Sequence, residues 1–157
     1  MEKFFRLTDQ QENVWNSEMF YSGSNINTIG GYLFIKDKVD FSLLEKATNI
    51  YVMNNEVIRY HFDLKDGKPI QRLTEYTPFK LDLISVDSID ELNNVTTEVV
   101  SKPLKIFNSN LFKFILFRLN DGRGRSYNCF SPFNCRCLEF KLIYFWNNRY
   151  LLKAFKY

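Results

Sequence analysis

The segment LFKFILFRL, residues 111–119, constrains the fold of this chain more than any other. It is almost continuously apolar, rich in Phe, Leu and Ile, and it stops at NDGRG, so it reads as a strand closed by a turn. Such a strand has to be covered. The strongest candidate cover lies in VDFSLLEKATNIYVMNNE, where Leu43, Leu44, Ala47, Ile50 and Tyr51 recur at helical spacing. Packing these two apolar faces together predicts Leu43, Leu44, Ala47 and Ile50 inward, against strands that include Leu33, Ile35, Phe114 and Leu116.

The remaining elements alternate between helix and strand. Thr8 is placed to cap a helix from Asp9 to about Phe20, with Glu12 in the first turn. After the breaker YSGSN, INTIGGYLFIKD reads as a strand in which Gly30 and Gly31 predict a bulge or a close backbone approach. Asp40 or Ser42 caps the helix over Leu43 to Tyr51. VIRYHFDLKDGKPIQRL reads as two strands around an Asp-Gly turn, KLDLISV as a strand, and SIDELNNVTTEVVSK as a helix capped by Ser88. There are no repeats and no low-complexity segments. The fold class expected is α+β, with helices packed on a mixed sheet.

Composition excludes several functions. A chain of 157 residues, 45% hydrophobic and 25% charged, can bury one core. Its net charge of +3 comes with acidic residues throughout and no basic stripe, so its aromatic side chains are read as core and no nucleic-acid partner is expected. No apolar run reaches the length of about twenty residues that crosses a bilayer, and MEKFFRLTDQQENVW lacks the apolar centre of a signal peptide. The expectation is a cytoplasmic protein without a membrane partner. Cys129, Cys135 and Cys137 are an odd set and the single His61 is distant, so neither a disulfide framework nor a metal site is expected.

Two segments carry a family resemblance. LTDQQENVW places Leu7, Thr8, Gln11 and Trp15 in register with the opening motif of nonribosomal peptide synthetase condensation domains: Leu-Thr, two residues, Gln, then Trp four later. About forty residues on, NNEVIRYHF is similar to the second motif, Arg-His-Glu-x-Leu-Arg-Thr-x-Phe. Glu56, Arg59 and Phe62 match, Ile58 replaces a leucine, and Asn54, Asn55 and Tyr60 depart from the pattern. The resemblance runs over residues 3–124, the amino-terminal part of such a domain, and leaves 125–157 as a non-family tail.

What the resemblance implies is an incomplete chloramphenicol-acetyltransferase-like lobe. Two such lobes enclose a tunnel in which aminoacyl groups, tethered to phosphopantetheine on peptidyl carrier proteins, are joined by an amide bond. No cofactor is implied as bound directly. A free amine attacks a thioester carbonyl, and a histidine orients or deprotonates that amine. In the family that histidine belongs to His-His-x-x-x-Asp-Gly after the strand that follows a turn like NDGRG. Here the position reads SPFNCRC, so no catalytic residue is assigned and the chain is expected to be inactive. The resemblance also implies that the arginine matched by Arg59 holds the motif aspartate. Without it, Arg59 is expected to be exposed or to find Glu56, Asp63 or a backbone carbonyl.

The genetic code suggests why the sequence changes character at SYNCFSPFNCRCLEF. SPFNCRCLE can be written TCA CCA TTT AAT TGT CGA TGC TTG GAG. Read one base forward, the same bases give His-His-Leu-Ile-Val-Asp-Ala-Trp, and SYNCF then admits Val-Ile-Ile-Val-Phe. A break of frame between about Asp121 and Ser126 is therefore expected, with the three cysteines out of frame. In the tail, Leu142, Tyr144, Trp146 and Leu152 are expected to stay exposed and to promote aggregation.

Ordinary roles compete with these readings. Gln11 and Trp15 share a helix face whatever the function, and His61 reads as a side chain within a sheet, with no nucleophile or carboxylate arranged beside it. Two alternatives accompany the truncated condensation domain: a non-catalytic module that binds carrier proteins, and an unrelated small α+β protein.

Overall fold

Among the described residues, each of the three α-helices starts where a side chain can satisfy an otherwise unpaired amide. In the computed structural model, which describes residues 4–38, 40–120 and 122–133, a short strand β1 (Phe4–Arg6) leads into helix α1 (Asp9–Phe20). Thr8 closes a reciprocal capping box: the Gln11 amide donates to Thr8 Oγ1 at 3.3 Å, and the Thr8 amide donates to Gln11 Oε1 at 2.9 Å. After strand β2 (Ile29–Lys38), helix α2 (Phe41–Asn54) begins at Asp40, whose Oδ1 accepts from the Leu43 amide at 3.0 Å. One 3-10 turn (Glu56–Arg59) follows, then strands β3 (Tyr60–Lys65), β4 (Lys68–Leu73) and β5 (Asp82–Val86). Helix α3 (Ile89–Ser101) is capped by Ser88, which accepts from the Glu91 amide at 3.1 Å. Strands β6 (Phe112–Leu119) and β7 (Arg123–Phe130) complete the order.

The strands form two sheets. β1, β4 and β3 make an antiparallel three-stranded sheet, and β2, β7, β6 and β5 a mixed four-stranded one in which only the β5–β6 pair is parallel. The β3–β4 hairpin turns at Asp66 and Gly67, with φ of 52° and 74°. Two consecutive left-handed residues match the right-handed twist of the flanking strands, which is why Asp-Gly marks the turn in the sequence.

The apolar segment at 111–119 is apolar on both faces because both are covered. Phe112, Phe114 and Leu116 join Leu44, Tyr51 and Val52 of α2 in one cluster; Ile115, Phe117 and Leu119 join Leu92 of α3 in another. Strand alternation divides the two sets.

Some expectations need correction. In α2 the inward positions are Leu44, Ala47, Thr48, Tyr51 and Val52, while Ile50 is 38% exposed and Leu43 half-buried. Thr48 is tolerated inside because its hydroxyl donates to the Leu44 carbonyl at 2.9 Å. The side chains of Leu33 and Ile35 lie outside the described residues. The register irregularity of β2 falls between Ile35 and Lys38 rather than at the glycines, and Gly30 instead provides a close approach to the Tyr127 ring. Residues 56–59 form a turn, not the start of a strand, and β1 had no clear signal in the sequence. β7 runs without interruption from Arg123 to Phe130 as an interior strand paired on both sides. Leu142, Tyr144, Trp146 and Leu152 lie outside the described residues.

Candidate functional site

The two motif segments meet at one junction. Leu7, Trp15, Phe62, Leu111 and Phe133 form a buried cluster, with Phe62 fully buried. Phe62 and Phe133 have ring centroids 4.5 Å apart, and Trp15 packs edge-on to Phe133 at 6.3 Å. Gln11, on the face of α1 that also carries Trp15, reaches across to β4. Its Nε2 donates to Gln71 Oε1 at 3.0 Å, Gln71 Nε2 donates back to Gln11 Oε1 at 3.0 Å, and Gln71 Nε2 also reaches the Arg6 carbonyl at 2.9 Å. A longer contact of 3.4 Å joins Gln11 Nε2 to the Phe133 carbonyl. One side chain thus ties together the cap of α1, the three-stranded sheet and the chain leaving β7.

The second motif divides over two surfaces. Phe62 points into the junction, while Glu56 is exposed on the 3-10 turn. Arg59 is half-buried and takes the backbone-carbonyl option: its Nη1 donates to the Thr74 carbonyl at 2.8 Å, and Thr74 answers with its amide and hydroxyl on the Arg59 carbonyl at 3.1 and 2.8 Å. Beside it lies an open cavity of about 240 Å³, lined by Arg59, His61, Thr74, Tyr76, Asn110 and Phe112 among others. His61 Nε2 pairs with Asn110 Oδ1 at 3.0 Å, and Tyr76 donates to Asn49 Oδ1 at 2.8 Å. Among the described residues, Arg59 Nε and His61 Nδ1 are buried without a hydrogen-bond partner.

The chemistry available here is that of binding and support. The cavity offers donors, the Arg59 guanidinium, the Glu75 carboxylate and an aromatic wall. His61 contacts an amide rather than a carboxylate, so none of the described residues would orient it as a general base. Cys129 is buried in the cluster that faces α3, where loss of solvation pushes its thiol above the usual range against smaller effects of Tyr127 and Lys113. Among the described residues no group of three or more His, Cys, Asp or Glu side chains could hold a metal, and no helix is long and apolar enough to cross a membrane.

Sequence reasoning placed Leu7, Thr8, Gln11, Trp15, Arg59 and Phe62 in this neighbourhood but missed Gln71 and Asn110. Both act across long separations, sixty residues for Gln71 with Gln11 and forty-nine for Asn110 with His61, and no local pattern marks them.

The architecture defines the class. The starter condensation domain of the rhizomide synthetase superposes with a TM-score of 0.83 at 15% identity, over 92% of this chain and 38% of that one. The first condensation domain of the calcium-dependent antibiotic synthetase gives 0.72 at 21% identity, over 82% of this chain and 34% of that one. The fold is that of condensation domains, a chloramphenicol-acetyltransferase-like α+β architecture.

The condensation domain family model matches residues 1–127, and the chain belongs to that family. Surfactin synthase subunit 1 of Bacillus subtilis is 30% identical over 128 residues, and a plipastatin synthase subunit of the same organism is 30% identical over 124; each alignment covers 76% of this chain. The chain spans only 4% and 5% of the length of these two relatives.

Proposed function

We propose that this chain is part of the amino-terminal lobe of a cytoplasmic condensation domain and that its own sequence supports no condensation. In the reaction proposed for the whole domain, the amine of one aminoacyl group attacks the thioester carbonyl of another. A C–N bond forms and the C–S bond breaks. The amine proton leaves by way of a base, and the phosphopantetheine thiol of a peptidyl carrier protein is the leaving group.

The observation that carries this reading is the Gln11–Gln71 lock. It joins the first motif to β4, where Gln71 is the ladder partner of Phe62 of the second motif, and the Phe133 carbonyl past the end of β7 also reaches Gln11. The segment that follows Phe130 therefore starts beside the motif junction, the place where a catalytic loop would be supported by both motifs. In this chain residues 131–137 read SPFNCRC, which supplies no imidazole. Leu7, Thr8, Gln11, Trp15, Glu56, Arg59 and Phe62 are structural in this proposal: they hold the lobe and the start of the loop.

The test mixes the 157-residue chain with two peptidyl carrier proteins, each loaded with an aminoacyl group, and follows the carriers by intact-mass spectrometry. No dipeptidyl carrier above the no-protein control is expected. Product formation at a rate proportional to the chain would overturn the assignment of inactivity.

A further inference from the structure

β7 carries a mismatch on its core face. In the antiparallel pair with β6, Ser126 lies opposite Leu116, Asn128 opposite Phe114 and Phe130 opposite Phe112. Partners in such a ladder project to the same side, so Ser126 and Asn128 face the α2 cluster with Phe130. That cluster is built from Leu44, Val52, Ile58, Phe114, Leu116 and similar side chains. Ser126 and Asn128 are 3% and 7% exposed, and the Ser126 hydroxyl hydrogen-bonds to Asn128 Oδ1 at 2.9 Å. One mutual hydrogen bond reduces the desolvation cost of two polar groups in an apolar layer, but an aliphatic pair of similar volume would carry no such cost. Interior strands covered on both faces are ordinarily apolar on both, as β6 is.

We propose that the reading frame of this gene slips by one base between codons 121 and 126, and that the core face of β7 is encoded in the neighbouring frame. Read one base forward, AGT at Ser126 followed by TAT gives valine, and AAT at Asn128 followed by TGT gives isoleucine, which replaces the polar pair by aliphatic side chains. The same reading gives histidines at positions 131 and 132 and an aspartate at position 136. A single displacement thus removes the polar pair. The inference rests on packing and codon arithmetic and is independent of whether the chain catalyses condensation.

Two measurements test it. Sequencing the gene should show AGT at Ser126, AAT at Asn128, TCA at Ser131, CCA at Pro132 and CGA or AGA at Arg136, the codons that the forward reading requires; any other codon at one of these positions overturns the proposal. In the full 157-residue chain, the double variant Ser126→Val/Asn128→Ile should melt higher than the parent by about 5 °C or more. An unchanged or lower Tm means that the polar pair is suited to its site, and this too overturns the proposal. The sequencing result stands whether or not the variant is soluble.

Discussion

Gln11 and Gln71, sixty residues apart, exchange two side-chain hydrogen bonds of 3.0 Å each. The same Gln11 oxygen that accepts from Gln71 also accepts from the Thr8 amide at the start of α1. Helix capping and the docking of α1 on the three-stranded sheet are therefore one event. Replacing Gln11 by alanine removes the bond to the Thr8 amide and those to Gln71, and leaves the Thr8 hydroxyl on the residue-11 amide. The buried Gln71, 8% exposed, then loses one of its partners, at a cost of about 1–3 kcal/mol.

This coupling predicts strong non-additivity. Gln11→Ala and Gln71→Ala should each lower stability, and the double variant should be less destabilised than their sum by about 1–2 kcal/mol, as expected for residues in one network. Urea denaturation of the four chains of the cycle measures it. Additive effects within about 0.5 kcal/mol would mean that the two amides do not act together.

Gly30 should resist even the smallest side chain. A Cβ built there lands on the Tyr127 hydroxyl and comes within 3.0 Å of Cζ in the same ring. Tyr127 is 2% exposed, packed in the cluster that faces α3, so the ring has little room to retreat. Gly30→Ala is expected to cost about 1–3 kcal/mol by overpacking. In the background Tyr127→Leu the same substitution should be close to neutral. Thermal melts of the two single variants and the double variant decide whether the ring is the obstacle.

The contrast between Gly30 and the helix caps shows what was legible in the sequence. Thr8, Asp40 and Ser88 act on amides three residues away, so their roles follow from local order alone, as does the Asp66-Gly67 turn. The glycine signal before Tyr32 was ambiguous between a bulge and a close approach, because the ring that decides it arrives on β7, far along the chain. β1 was missed for a similar reason: Phe4, Phe5 and Arg6 are exposed, and they become a strand by pairing with Arg72, Gln71 and Ile70. The buried face of α2 differs from the apolar spacing because it includes Thr48, whose hydroxyl is satisfied within the helix, and leaves Ile50 out. At the candidate site, motif spacing pointed to Gln11, Trp15, Arg59 and Phe62. Their partners Gln71, Thr74 and Phe133 became visible only once β4, the loop after it and the end of β7 were in place.

Cys129 should be inert in the native chain. It is 4% exposed in an apolar cluster, and its thiol is held above the usual range by lost solvation, so the reactive thiolate is scarce at neutral pH. In the variant Cys135→Ser/Cys137→Ser, which leaves it as the sole thiol, an aromatic disulfide reagent at pH 8 should react only after denaturant is added. Full labelling within minutes under native conditions would show that β7 opens readily.

Glu18 gives the fold a pH dependence of its own. It is buried on α1, and burial raises its carboxyl above the ordinary value of 4.5, with an opposing hydrogen bond to Asn27. A native carboxyl with a raised pKa holds its proton more tightly than the unfolded chain does, so stability declines as pH rises from about 4.5 through the raised native value. Below that window both states carry the proton and Glu18 contributes no slope. Glu18→Gln keeps the shape of the side chain and removes the titration. The variant should match the parent in Tm near pH 4 and exceed it by pH 7, with the gap opening between those limits. A constant difference in Tm across the whole range would mean that packing, not ionisation, governs this position.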